Sequence, residues 1–236
     1  MGNMKNKKTL GIIGLSIVAI LAGFLIYRDM RKRENTQPAT TINGVTMTGN
    51  GSVAVEPIGS STASSTTISG QNLPPPPPLD RSVAPLSTLT PQVVKIVDAD
   101  MAATIATLKS NPMRIDAWID LGLQRKELGD YIGARDAWEY AKALGQDTNI
   151  VPWNNLGDLY HYYLKDYPKS ELNWKKVIAL KPDYIQAYRG LFELYFYSYT
   201  EKADQIPVFL KAGIAKNPNS PDLKQMLADY EQSLTK

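Results

Sequence analysis

WNNLGDLYHYYLKDYPKSELNW, residues 153–174, opens and closes on tryptophan and holds the chain's only histidine, His161, among four tyrosines. Trp153, Leu156, Gly157 and Tyr160 stand at i, i+3, i+4 and i+7, the spacing of one helix face. After Asp166-Tyr167, the residues Leu172, Trp174, Val177, Ile178 and Leu180 supply a second apolar surface, with Pro168 suited to a first turn. A pair of helices is predicted. Gly157 and Ser170 are small enough to let them approach, and Trp174 fills the space between them.

The pattern recurs on both sides. Trp118, Leu121 and Gly122 are followed by Gly129-Asp130-Tyr131, Ala134, Trp138 and Ala141; about 35 residues later come Trp153, Leu156, Gly157, Tyr160, Ser170, Trp174 and Pro182. A weaker copy runs Tyr188, Leu191, Phe192, Tyr195, then Ile206, Leu210 and Pro218. Recurrence of the tryptophans assigns them to a core rather than to a cofactor box. The pattern resembles the tetratricopeptide repeat, whose W-x2-L-G-x2-Y half is matched in full at Trp153, Leu156, Gly157 and Tyr160, and the likeness covers about 112 to 218. Arg125 replaces the tyrosine in the first copy, Ser170 and Ile206 replace the small alanine, and Phe192 replaces the glycine. The turns are expected to lengthen by one residue in the second copy and two in the third. The resemblance implies an all-α, superhelical solenoid of helix-turn-helix repeats over 91–236, about three repeats with flanking helices. Thr90-Pro91 and Ser220-Pro221 each read as an N-cap followed by a first helical residue, and Leu223, Met226, Leu227, Tyr230 and Leu234 give the last helix an apolar stripe that caps the stack.

In arrays of this kind the first helix of each repeat lines a concave groove. Carried onto this chain, the groove positions are Asp116, Ile119, Leu123 and Lys126; then Asn154, Asp158, His161 and Tyr162; then Gln186, Arg189, Glu193 and Tyr197. Aromatic area with charges of both signs suits a peptide or protein segment. Ile119 stands where a lysine clamp for a terminal carboxylate would begin, which disfavours chaperone-tail binding. His161, expected to face the groove, has no nucleophile or oriented partner set visible in the sequence, so no catalytic residue is assigned and the chain is read as a non-enzyme.

The rest of the chain places this array. Leu10–Tyr27 is 18 residues without a charge, close to the length that crosses a bilayer core, and lies between Lys5, Lys7, Lys8 and RDMRKRE. Residues 1–34 are therefore read as tail, retained single-pass signal anchor and basic flank; the flanking charges nearly balance, and the short lysine-bearing N-terminus favours the extracytoplasmic side for the repeat domain, with a cytoplasm-facing domain as the alternative. Residues 35–90, rich in Ser, Thr, Gly and Pro, read as a largely disordered linker. Within it, Pro74–Pro78 is a stiff spacer or a docking motif, and Val45–Glu56 could form a hairpin around Gly-Asn-Gly. The net charge of +3 belongs to the first part: residues 1–91 carry eight bases and four acids, and the remainder eighteen bases and nineteen acids, a net of −1. A nucleic-acid partner is not supported. With no cysteine there is no disulfide or thiolate site, and no metal or cofactor is expected. The expected function is a membrane-tethered protein-interaction scaffold. The alternative is a self-assembling envelope component in which the aromatics of Leu191–Thr200 pair two copies into a homo-oligomer.

Overall fold

Thr90 begins the helical region as expected: its hydroxyl accepts from the Val93 N–H at 3.4 Å, and Pro91 occupies the first turn. The structure, a computed structural model, describes residues 40–42, 45–47, 53–55 and 73–235. The proposed anchor, Leu10–Tyr27, lies outside these residues; among the described residues no helix is long and apolar enough to cross a membrane. The chain divides into two units, 1–69 and 70–236.

In the first unit, three strands, β1 (Thr40–Ile42), β2 (Val45–Met47) and β3 (Val53–Val55), form an antiparallel sheet in the order β1-β2-β3. Val45 pairs with Val55 and Met47 with Val53, the register of the expected hairpin. β1, which pairs with the other edge of β2, lies outside the stretch read as a hairpin.

The second unit is helical from residue 91: α1 (Pro91–Ser110), α2 (Ile115–Leu128), α3 (Tyr131–Gly145), α4 (Val151–Asp158), α5 (Tyr167–Leu180), α6 (Ile185–Glu193), α7 (Ile206–Lys216) and α8 (Pro221–Ser233). Each helix packs on its neighbours in the chain, and α6 also meets α8. Asp130 and Asp166 cap α3 and α5 by accepting from Gly133 and Lys169 N–H, and Ser220 caps α8. Gly129 takes the left-handed conformation that closes α2, at φ 94°. Lys165 takes the corresponding place in the next unit, at φ 56°, without glycine's freedom.

Three aromatic side chains 35 residues apart do the same work. Trp118 Nε1 donates to Pro112 O at 2.7 Å, Trp153 Nε1 to Gln146 O at 3.4 Å, and Tyr188 OH to Pro182 O at 3.1 Å. Each pins a helix to the turn before it. Between paired helices, Trp138 lies over Gly122 and Trp174 over Gly157. In the third pair the bulk changes sides, since buried Phe192 stands at the glycine position and buried Leu210 at the tryptophan position. The substitution of glycine by Phe192 is thus compensated across the helix pair.

The lengthened turns are present, and the extra residues take two forms. The ends of α4 and α6 each carry a single π turn, Leu159–Tyr163 and Leu194–Ser198, whose sequences LYHYY and LYFYS align at a spacing of 35, and in the third copy a 3-10 turn, Thr200–Gln205, takes up the rest. Leu164 N–H reaches Leu159 O at 2.9 Å and Tyr199 N–H reaches Leu194 O. A π turn inserts one residue without breaking the helix, and so shifts the phase of every side chain after it.

Residues 73–90 carry no regular structure, yet they are fastened to the helices. Arg125, 1% exposed at the expected tyrosine position, donates to Pro78 O at 2.8 Å. Arg81 pairs with Asp130 at 2.7 Å, and Leu86 N–H donates to Leu128 O at 3.0 Å. Leu79 packs on the core formed by α1, α2 and α3. The end of the polyproline stretch is therefore a strap on the helical unit rather than a free spacer, and Arg125 is the residue that holds it.

Candidate functional site

Asn154, Asp158 and Tyr162 succeed one another at i, i+4 and i+8 along α4 and its π turn. Gln186, Arg189 and Glu193 do the same at i, i+3 and i+7 along α6. These two rows, with Tyr184, Gly190 and Trp174, line a pocket of about 320 Å³. Trp174 comes from α5 and is 2% exposed. Its ring is admitted by Gly157 and Gly190, where a Cβ would meet it far inside contact distance.

The polar chemistry of the pocket is incomplete within the described residues. Trp174 Nε1 and Asn154 Oδ1 are buried without a hydrogen-bond partner. The other three tryptophans all donate their indole N–H to backbone carbonyls. Tyr162 OH donates to the Glu193 carboxylate. Arg189 makes a long ion pair with Asp222, 3.6 Å, between exposed side chains. Asp158 forms no hydrogen bond or ion pair among the described residues. Burial pushes its carboxyl up to about 6; Lys126 opposes that shift and Glu193 adds to it.

The predicted groove positions separate into three groups. Six of the twelve, Asn154, Asp158, Tyr162, Gln186, Arg189 and Glu193, line this one pocket. From the first copy, Asp116 pairs with Arg114, while Leu123 packs beside the core of Trp138 and Leu156. Lys126 lies over the Tyr163 ring, 5.8 Å from its centroid. Ile119 is a correction: it is buried in the core with Trp118 and Leu121, and its carbonyl accepts from Trp138 Nε1 at 2.9 Å. His161 is another. It is 2% exposed, stacks on Tyr162 at 4.0 Å, and its Nε2 lies 2.9 Å from Ser198 Oγ. The π turn carries it off the groove face and makes it a tie between the two π turns. Burial, and then Lys165, lower its pKa from the ordinary histidine value. The His161–Ser198 pair has the reach of a base and a nucleophile, but among the described residues buried Nδ1 has no partner to orient the ring. Among the described residues no group of three or more His, Asp or Glu side chains is placed to hold a metal ion.

Tyr197, 71% exposed, lies outside the pocket lining. Of its neighbours in Leu191–Thr200, Leu191, Phe192, Leu194 and Tyr195 are buried, and Phe196 and Tyr199 are partly buried against the same core. The exposed aromatic surface expected there for pairing two copies is therefore reduced chiefly to Tyr197. The sequence had assigned Trp174 to packing alone, and had not singled out Tyr184, Gly190 or Ser198. The unpartnered indole N–H and the phase shift of the π turns are invisible in a periodicity.

The chain matches no protein-family model and no curated protein.

Proposed function

We propose that residues 91–236 form a tetratricopeptide-like array, a superhelical solenoid of helix pairs, that binds an extended segment of another protein between α4 and α6. On this reading Leu10–Tyr27 tethers the chain to a membrane, and the helical unit stands on the extracytoplasmic side as a scaffold. One observation carries it: side chains picked only by their offset from the packing stripe, from two successive units, border a single pocket. Supporting it are the unpartnered Trp174 Nε1–H and Asn154 Oδ1, a donor and an acceptor of the kind that a peptide backbone complements.

The test is selection of twelve-residue displayed peptides against the full chain in detergent. Peptides so selected should bind Asn154→Ala roughly tenfold or more weakly, since a lost hydrogen bond leaves a desolvated partner. Selection that yields only peptides indifferent to Asn154→Ala and Gln186→Ala would refute the groove assignment. Protease added to cells with the inner membrane intact should reach the helical unit; protection until lysis would reverse the orientation.

A further inference from the structure

The pocket between α4 and α6 has more negative than positive chemistry to satisfy. Two carboxylates, Asp158 and Glu193, border it, against a single guanidinium, Arg189, which already leans toward Asp222. Glu193 is held by the Tyr162 hydroxyl. Asp158 is left without hydrogen bond or ion pair among the described residues, and Lys126, a cation whose charge acts on it, lies instead over the ring of Tyr163. Beside it, buried Asn154 Oδ1 is a second acceptor without a donor. At about 320 Å³ the pocket sits at the small end of the ~300–1,000 Å³ range of ligand sites. It has room for one long side chain and the adjoining backbone.

We propose that this pocket is specific for a lysine or arginine side chain of the bound segment, whose cationic head donates to Asp158 and Asn154 Oδ1 while Trp174 Nε1–H donates to a neighbouring backbone carbonyl. The inference rests on the groove reading above and narrows it to a basic ligand. A carboxylate paired with a cation in a partly dehydrated pocket gains a charge-assisted hydrogen bond that a neutral side chain cannot replace. An anionic residue would instead meet Asp158 and Glu193 as like charges. The balance of donors sets the selectivity: the ligand must bring N–H groups to Asp158 and Asn154 and an acceptor to Trp174, which is what a basic residue within a peptide carries.

The experiment uses the full chain in detergent with ¹⁵N-labelled tryptophan, which gives one indole N–H signal for each of the four tryptophans. The Trp174 signal is identified by its loss in Trp174→Phe. The probes are Nα-acetyl-lysine methylamide, its norleucine and Nε-acetyl-lysine counterparts, and the matched arginine and citrulline pair. The lysine and arginine probes should shift the Trp174 signal saturably, with those of Trp118, Trp138 and Trp153 unmoved. The neutral counterparts should bind roughly tenfold to a hundredfold more weakly, and Asp158→Asn should erase that difference. Neutral probes that bind as well as the cationic ones overturn the inference and leave the peptide reading standing. Preference for the cation that survives in Asp158→Asn, or no shift with any probe, also overturns it. Saturable cation binding alongside selected peptides that ignore the pocket would support the inference and remove the peptide reading instead.

Discussion

Adding one methyl group to a glycine should move the stability of this protein in opposite directions at different positions. At Gly157 a Cβ would lie 2.7 Å from Trp174 Cε2, and at Gly190, from the next helix pair, it would be closer still to the same atom. The indole is held between the two glycines, so it cannot move away from one without meeting the other. At Gly145, near the end of α3, the nearest atom to an added Cβ is Asn149 Cβ at 3.5 Å, an ordinary contact. Alanine improves helix propensity by about 1 kcal/mol over glycine in a helix interior, and by less near an end. Forcing a methyl group into a packed core costs about 1–3 kcal/mol and more where nothing can yield. Gly157→Ala and Gly190→Ala should therefore each destabilise by roughly 1–3 kcal/mol net, and Gly145→Ala should be neutral or stabilising by up to ~0.5 kcal/mol. Trp174→Leu, costly alone at roughly 2–4 kcal/mol, should remove most of the further loss from Gly157→Ala in the double variant. The assay is urea unfolding of the full chain in detergent followed by helix circular dichroism. Equal effects of the three alanines, or strict additivity of Gly157→Ala with Trp174→Leu, would refute the packing described.

Three further outcomes follow from particular side chains. Glu127 on α2 is partly buried with Asp100 of α1 near it and Lys126 beside it in sequence; burial, the largest cause, raises its carboxyl to about 7. A folded pKa above the unfolded value of about 4.3 means that its charge opposes folding progressively as pH rises from about 4 to 7. Glu127→Gln should stabilise by roughly 1–2 kcal/mol at pH 8, after allowance for its partial hydration, and by almost nothing at pH 4; equal denaturation midpoint shifts at both values would contradict this. Lys165→Gly should stabilise by about 1 kcal/mol, because the left-handed φ of 56° costs a side-chain-bearing residue and glycine nothing; a thermal melt lowered by the change would show that the lysine makes a compensating contact. His161→Ala should cost about 1–3 kcal/mol, since it empties a buried stacked site and strands Ser198; a loss within ±0.5 kcal/mol would place the ring at the surface instead.

Two helix starts, Thr90-Pro91 and Ser220-Pro221, were legible because a cap and a first-turn proline are written locally, whereas α2, α4, α6 and α7 begin without a side-chain cap. Asp130 and Asp166, which recur in the pattern, prove to be caps as well, through side-chain bonds of the kind aspartate supplies. Packing tryptophans and their glycines were legible from recurrence alone. The groove was readable only as far as the helical phase could be carried. Asn154, Asp158, Gln186, Arg189 and Glu193 precede the π turns and come out on one pocket, while of the two predicted residues inside a π turn Tyr162 stays on the pocket and His161 is rotated into the interior. Ile119 failed for a different reason: an isoleucine in the first pair is worth more buried beside Trp118 than facing water. Arg125 concealed the strap, since nothing in the local pattern announces that a buried guanidinium will take its acceptor from Pro78, 47 residues away in the chain.

A protein segment lying between α4 and α6 would be captured by site-specific photocrosslinking in the native cells. Benzoylphenylalanine replaces Gln186, exposed on the pocket rim, or Leu172, exposed on α5 and outside the pocket lining. A discrete crosslinked protein is expected from position 186, absent from position 172 and reduced when Asp158→Asn is added. Crosslinks of equal yield from both positions, or none from 186 in cells that express the chain at its normal level, would contradict it.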